Sequence, residues 1–184
     1  MSAIRTAPGK VNADKCVGVQ FIESPLGTLI SAAVEDGICM VGFSDCLRPE
    51  YCYRRIRDRF GLPVLPVSNP VLDSLKIELS DYFKGRLTRF SVPLAIRGTP
   101  FQEHVWNELL RIPYGQTVSY QAMAQSTGNV RAVRAVARAI AMNPIWVLIP
   151  CHRVIGKDGE LTGYGGGLWR KQMLLELERT GKLP

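Results

Sequence analysis

The sequence predicts an α/β N-terminal domain, a small antiparallel sheet plus helices, packed on a mostly α-helical C-terminal domain with a helix-turn-helix. Three observations predict it. Strand-like segments with hairpin signals crowd residues 17–43, helical spacing of apolar residues dominates after residue 99, and Arg97-Gly98-Thr99-Pro100 forms a joint between the two patterns. The boundaries that follow are a loose polar tail over 1–15, a first domain over 16–97 and a second over 98–184.

Residues 17–23 alternate, with Val17, Val19 and Phe21 on one side. The turns Ser24-Pro25-Leu26-Gly27 and Glu35-Asp36-Gly37 link them to strands over 28–34 and 38–43, an antiparallel meander. The Arg-rich stretch 48–60 predicts a short surface helix stopped by Gly61, and residues 62–70 a Pro-punctuated loop. Apolar residues at 71, 72, 75, 79, 82 and 83 predict a helix over 71–83, and 90–96 is a further candidate strand. Thr99 can cap a helix with Pro100 and Glu103 in its first turn and Phe101, Val105, Trp106, Leu109 and Leu110 as its apolar stripe. Ser119 can cap a helix over 120–126, Thr127-Gly128-Asn129 is a tight turn, and a third helix runs over 130–142 to Asn143-Pro144. Two helices joined by a short Gly-containing turn make a helix-turn-helix pattern. An apolar run over 145–149 leads into Pro150-Cys151-His152-Arg153, and a Gly-rich loop over 163–167 precedes a last amphipathic helix over 168–178.

The composition excludes several classes. Apolar residues are 46% and charged residues 21% of the 184-residue chain, which is not the make-up of a disordered or fibrous protein. No apolar run approaches the roughly 18 residues of a membrane span. Met1-Ser2-Ala3-Ile4-Arg5 lacks the apolar stretch of a secretory signal. Cys16, Cys39, Cys46, Cys52 and Cys151 contain no Cys-x-x-Cys pair and suit neither a disulfide framework nor a structural zinc site, so a reducing cytosol is expected. The net charge of +7 is a weak pointer to a polyanionic partner. Its distribution says more: residues 109–157 contain no Asp or Glu but carry Arg111, Arg131, Arg134, Arg138, Arg153 and Lys157.

Two constellations carry chemistry. Arg131, Arg134 and Arg138 at i, i+3 and i+7 share one face of the third helix, and Ala132, Ala135, Ala139 and Ala141 keep that helix slim. Such a helix suits a nucleic-acid groove, and equally an ordinary solvated face; the turn before it favours the groove. A lone cysteine after an apolar run is commonly a small buried hydrophobe. Beside Cys151, however, Arg153 and the preceding helix are cationic and His152 is adjacent, and cations favour thiolate over thiol. Cys151 is therefore a candidate nucleophile and His152 a base acting through a water. Glu178 is the candidate acceptor that orients the imidazole.

These residues resemble the O6-alkylguanine-DNA alkyltransferases. The resemblance rests on Val118-Ser119-Tyr120-Gln121, Arg131-Ala132-Val133-Arg134-Ala135-Val136, Asn143-Pro144, Ile149-Pro150-Cys151-His152-Arg153-Val154-Ile155-Gly156, and Gly163-Tyr164 with Gly166-Gly167-Leu168. It runs through the C-terminal half; the N-terminal half matches only in layout. The resemblance implies a ribonuclease H-like first domain and a single-use repair reaction that moves an alkyl group from guanine O6 onto Cys151. It implies His152 as water-mediated base, Glu178 as its partner, and Asn143 as the residue tying the third helix to the active-site turn. Tyr120 would donate to guanine N3, Arg134 would replace the flipped base in the stack, and Tyr164 would stack on that base. Backbone groups of Cys151, Val154 and Gly165 would bind the guanine edge. Ser119, Arg131, Arg138 and Lys157 are expected DNA contacts.

Three residues depart from the family pattern. Gly165 stands where some relatives carry Ser, Trp146 where others have a smaller residue, and Arg138 where many have a small one. The resemblance places Trp146 beside the alkyl pocket, where it is expected to point inward and narrow it, the alternative being an outward indole that stacks on a large aromatic substituent. With His104 and His152 the only histidines, no zinc and no cofactor are expected. The expected partner is double-stranded DNA carrying O6-alkylguanine, bound through the minor groove by a monomer with no membrane attachment. A non-catalytic lesion sensor, a helix-turn-helix transcription regulator and a Cys-His hydrolase are the alternatives, and the Cys151, His152, Glu178 set argues against the first two.

Overall fold

A computed structural model describes residues 16–67 and 69–184; the tail expected over 1–15 lies outside them. Strands β1 (Val17–Ile22), β2 (Leu29–Val34) and β3 (Gly37–Phe43) form the expected antiparallel meander. Every residue of β2 and β3 is buried, so the sheet is covered on both faces. Phe21, expected on the same side of β1 as Val17 and Val19, is 57% exposed, while those two and Ile22 are buried. Helix α1 (Pro49–Phe60) opens with Pro49 in its first turn and stops at Gly61, whose left-handed backbone (φ 67°) ends the helix without strain. The segment expected as loop holds a two-residue strand, β4 (Val64–Leu65), parallel to β1. It is too short for alternation to register. The sheet is thus mixed, in the order β3-β2-β1-β4.

Helix α2 (Pro70–Phe83) is capped by Asn69, whose side chain accepts the Val71 N–H at 2.8 Å. Leu72, Leu75, Leu79, Tyr82 and Phe83 are its buried stripe. The candidate strand over 90–96 does not form. Only Leu94 bridges to β3, at Ile38, because Pro93 beside it has no N–H to give a ladder.

The second half is helical. α3 (Pro100–Leu109) begins with a reciprocal capping box between Thr99 and Gln102 and buries Val105, Trp106 and Leu109; Phe101 and Leu110 lie at the margin of the stripe. After β5 (Val118–Ser119) come α4 (Tyr120–Ser126) and α5 (Val133–Ala141), then β6 (Val154–Ile155), parallel to β5, and α6 (Leu168–Thr180). The α5 helix starts three residues later than the periodicity predicts. Asn129 takes the Arg131 N–H on its side chain and the Ala132 N–H on its carbonyl, which fixes a turn there instead.

One apolar core crosses the joint between the halves, joining Leu72, Leu75 and Tyr82 to Val105, Trp106, Leu109, Leu174 and Leu177. A second cluster, with Val17, Ile30, Met40, Cys52 and Ile56, lies beneath α1 on the other face of the sheet. The chain after α5 is tied to the first half by backbone: the Val41 N–H donates to Pro144 O at 3.0 Å, and the Trp146 N–H to Val41 O at 2.8 Å. Those bonds fix the approach to Cys151. Among the described residues, no helix is long and apolar enough to cross a membrane.

Candidate active site

The site begins at Asn143, where α5 ends. Its side-chain amide donates to Ile149 O and its carbonyl accepts from the Ile145 N–H, both at 2.9 Å, so one side chain clamps both ends of the 145–149 segment. Inside that segment Val147 is buried with φ 72°, a left-handed conformation that a β-branched residue adopts only when its surroundings enforce it. The segment delivers Pro150 and a single 3₁₀ turn, Cys151–Arg153, between the β5–β6 pair and α6. Cys151 is 6% exposed and His152 0%.

His152 Nε2 lies 2.8 Å from Glu178 Oε1. The carboxylate is an acceptor, so Nε2 carries the proton. Nδ1 is then a bare lone pair, and it is buried without a partner among the protein's atoms. Burial pulls the His152 pKa below 6.5 against the opposing pull of Glu178, which keeps the ring neutral. Glu178 also receives Arg153 Nε and Nη2 at 2.8 and 2.9 Å, the Gly115 N–H at 3.1 Å and the Tyr82 hydroxyl at 2.7 Å. Burial pushes its carboxyl up, but the hydrogen bonds and charges of His152 and Arg153 outweigh that and hold it well below the usual carboxylate range.

The thiol differs from the sequence expectation. Arg153 does not activate it: that guanidinium is bound to Glu178 and, through Nη1, to Ile112 O. Burial dominates, and the Cys151 pKa is pushed up to about 11, with Asn143, Lys171 and nearby backbone N–H groups pulling the other way. Cys151 therefore rests as a neutral thiol. The cation facing it is Lys171 of α6, itself fully buried, which donates to Val154 O at 2.5 Å and Thr162 O at 2.6 Å. Burial brings its pKa down to about 8.

The structure gathers Cys151, His152, Glu178 and Asn143 into one buried cluster, with Val154 immediately after the turn. Tyr120, the first residue of α4, donates weakly to Thr162 O at 3.4 Å, and burial raises its pKa with a smaller push from Cys151. Tyr164 stands half-buried with a buried hydroxyl that has no partner. The Trp146 indole is pinned: its N–H donates to Asn143 O at 3.0 Å, and its ring lies 5.8 Å from Tyr164 and 6.2 Å from Phe43. A Cβ on Gly165 would come 2.5 Å from that indole. Two departures from the family pattern are therefore one feature: the indole fills the space that a serine side chain at 165 would need.

Ser119 serves as the α4 cap, accepting the Ala122 N–H at 3.0 Å. Arg134 and Arg138 are exposed on α5, whereas Arg131, expected on the same helical face, is exposed on the turn before it, and Lys157 is exposed past β6. Sequence reasoning missed two residues. Lys171 shares the i, i+3, i+7 stripe of Leu174 and Glu178, a spacing that places it inward. Tyr82 was legible only as one more apolar residue of α2; nothing local marks its hydroxyl.

Comparison with known proteins agrees with this geometry. Residues 19–96 match the family model for the ribonuclease-like domain of 6-O-methylguanine DNA methyltransferase, and residues 100–180 the model for its DNA binding domain. A methylated-DNA–protein-cysteine methyltransferase of Mycobacterium tuberculosis is 55% identical over 103 residues, 56% of this chain and 62% of the relative, so the match spans less than two thirds of that protein. The inducible methylated-DNA–protein-cysteine methyltransferase of Bacillus subtilis is 42% identical over 149 residues, 80% of this chain and 82% of the relative. Among solved structures, Mycobacterium tuberculosis OGT in complex with DNA superposes with a TM-score of 0.77 at 39% identity, covering 90% of this chain and 95% of that one. With both halves matched in order, and a relative 42% identical over 82% of its own length, the chain belongs to the 6-O-methylguanine DNA methyltransferase family.

Proposed function

We propose that the protein repairs DNA by direct reversal, moving the alkyl group of O6-alkylguanine irreversibly onto Cys151, once per molecule. The observation that carries this reading is the buried His152, its Nε2–H fixed on Glu178 and its Nδ1 lone pair unpartnered one residue from a buried thiol. A saturated carbon on oxygen needs a strong, soft nucleophile. Cys151 gives its proton through a water to Nδ1, the carbon–sulfur bond forms as the carbon–oxygen bond breaks, and the guanine leaves as an oxyanion spread over the purine, which takes up one proton. Tyr120 donates to the base as that charge develops. A thiol held neutral until a lesion arrives also resists oxidation while it waits.

The partner is double-stranded DNA, entered from the minor groove by the slim α5 of a monomer. The reactive carbon is out of reach in a stacked duplex, so the base is flipped out at a cost of a few kcal/mol. Arg134 fills the gap, Tyr164 stacks on the base, Val154 and Gly165 offer backbone groups, and Arg131, Arg138, Lys157 and Ser119 contact the backbone of the DNA. The pinned Trp146 narrows the alkyl pocket, so methyl is preferred to benzyl. Residues 16–97 and 98–184 act as two domains of one repair unit.

Intact-mass spectrometry after mixing with a duplex carrying one O6-methylguanine tests the reaction. The expected result is one methyl per protein, mapped to Cys151. Turnover beyond one methyl per protein, or a methyl on Cys16, Cys39, Cys46 or Cys52, overturns it.

A further inference from the structure

We infer that Tyr82, carried by the N-terminal domain, is a positioning residue that sets how strongly His152 holds a proton, acting through Glu178. The inference rests on the alkyl-transfer reading of the same site. Tyr82 lies in the last turn of α2, is 1% exposed, and donates at 2.7 Å to a carboxylate 96 residues away. The oxygen it binds, Oε1, is the one that faces His152 Nε2, and Oε1 also receives Arg153 Nη2. Oε2 takes Arg153 Nε and the Gly115 N–H. Five donors thus share about four lone-pair directions, so charge drawn by one is withheld from the rest.

The phenol is fixed. Phe83, Phe90 and Tyr114 surround its ring with centroids at 5.4, 5.3 and 6.1 Å. It also stays protonated: burial first, and Glu178 second, push its pKa well above 10. Tyr82 is therefore a permanent neutral donor on the oxygen that holds the imidazole. By spreading the charge of Oε1 it weakens the pull of Glu178 on an imidazolium, which keeps Nδ1 free to accept the thiol proton.

The other groups facing the pair are accounted for. His152 faces Glu178 and Lys171 of α6, with Arg153 and Cys151 on its own turn; Glu178 faces Arg153, His152, Tyr82 and, from the loop after α3, Tyr114. Among the described residues, Tyr82 is the one donor to this pair that the N-terminal domain supplies.

Tyr82→Phe in the full chain removes the hydroxyl and keeps the ring. Two readouts are taken: the NMR titration of the His152 ring, and the acid limb of single-turnover methyl transfer from an O6-methylguanine duplex. Both midpoints are expected to move to higher pH, by about half to one pH unit. Midpoints that stay in place while Tm falls show a purely structural hydroxyl and overturn the inference. If Tyr82→Phe does not fold, 3-fluorotyrosine at 82, a stronger donor, must move both midpoints to lower pH, and unmoved midpoints overturn the inference equally. Wild type that transfers no methyl overturns the functional reading, while the ring titration still decides the tuning.

Discussion

Glu178 holds two obligations at once, since it orients His152 and neutralises the buried Arg153. Removing its charge leaves the guanidinium unpaired, so Glu178→Gln should destabilise the fold by about 3–5 kcal/mol as well as abolish transfer; chemical denaturation and a single-turnover assay check the two. Cys151→Ser keeps the shape and should lose methyl incorporation with little change in Tm. Acid should act in one direction. Folded Glu178 lies far below the 4.5 of the unfolded chain, so its stability is present above that pH and lost as the pH falls beneath it. Folded His152 lies below 6.5, so its contribution too is present above that pH and lost on acidification. Tm should therefore decline from about pH 7 to about pH 4, with Glu178→Gln flattening the lower part of the curve. At Gly165 the backbone φ is ordinary and the constraint is space alone. Gly165→Ser should cost about 1–3 kcal/mol by overpacking against Trp146. Pairing it with Trp146→Ala should recover part of that loss, which a double-mutant cycle measures.

The elements separate charge from chemistry. On α5 and its leading turn, Arg131, Arg134 and Arg138 project to solvent while Val136, Ala139 and Ile140 pack inward. Replacing Arg131 or Arg138 by Ala should weaken binding to every duplex alike and reduce the salt slope by about one per lost phosphate contact. Arg134→Ala should slow repair in duplex far more than reaction with the free base, and equal slowing would remove it from base flipping. The sequence displays those arginines, the caps at Thr99 and Ser119, and the three-strand meander, because each is a local pattern of period two, period 3.6 or turn chemistry. It displays Cys151, His152 and Glu178 as candidates but not their assembly, since Glu178 lies 26 residues after His152 and depends on how α6 docks. The short pairs of β4 with β1 and β5 with β6 carry too few residues for periodicity. The direction of the Cys151 shift is not legible for a similar reason: neighbours in sequence point to cations, whereas burial and the partner of Arg153 are properties of the fold.

At the scale of the molecule, one core spans both halves, and Tyr82 and Val41 bind across the joint by hydrogen bonds. Unfolding should accordingly be a single transition, with far-UV and near-UV circular dichroism coincident on heating. The backbone seam at Val41 has a further consequence. β3 is the outer strand of the sheet, and wholly apolar burial along it would make a naked outer strand a template for pairing with other chains. Its free side is occupied at two points, by Leu94 on Ile38 and by Ile145 on Val41. The segment that leads into Cys151 thus also serves as a guard rail against aggregation. Loosening its clamp with Asn143→Ala should give light scattering on mild heating before the bulk of the chain has unfolded, so that the same side chain that shapes the active-site turn also keeps the protein in solution.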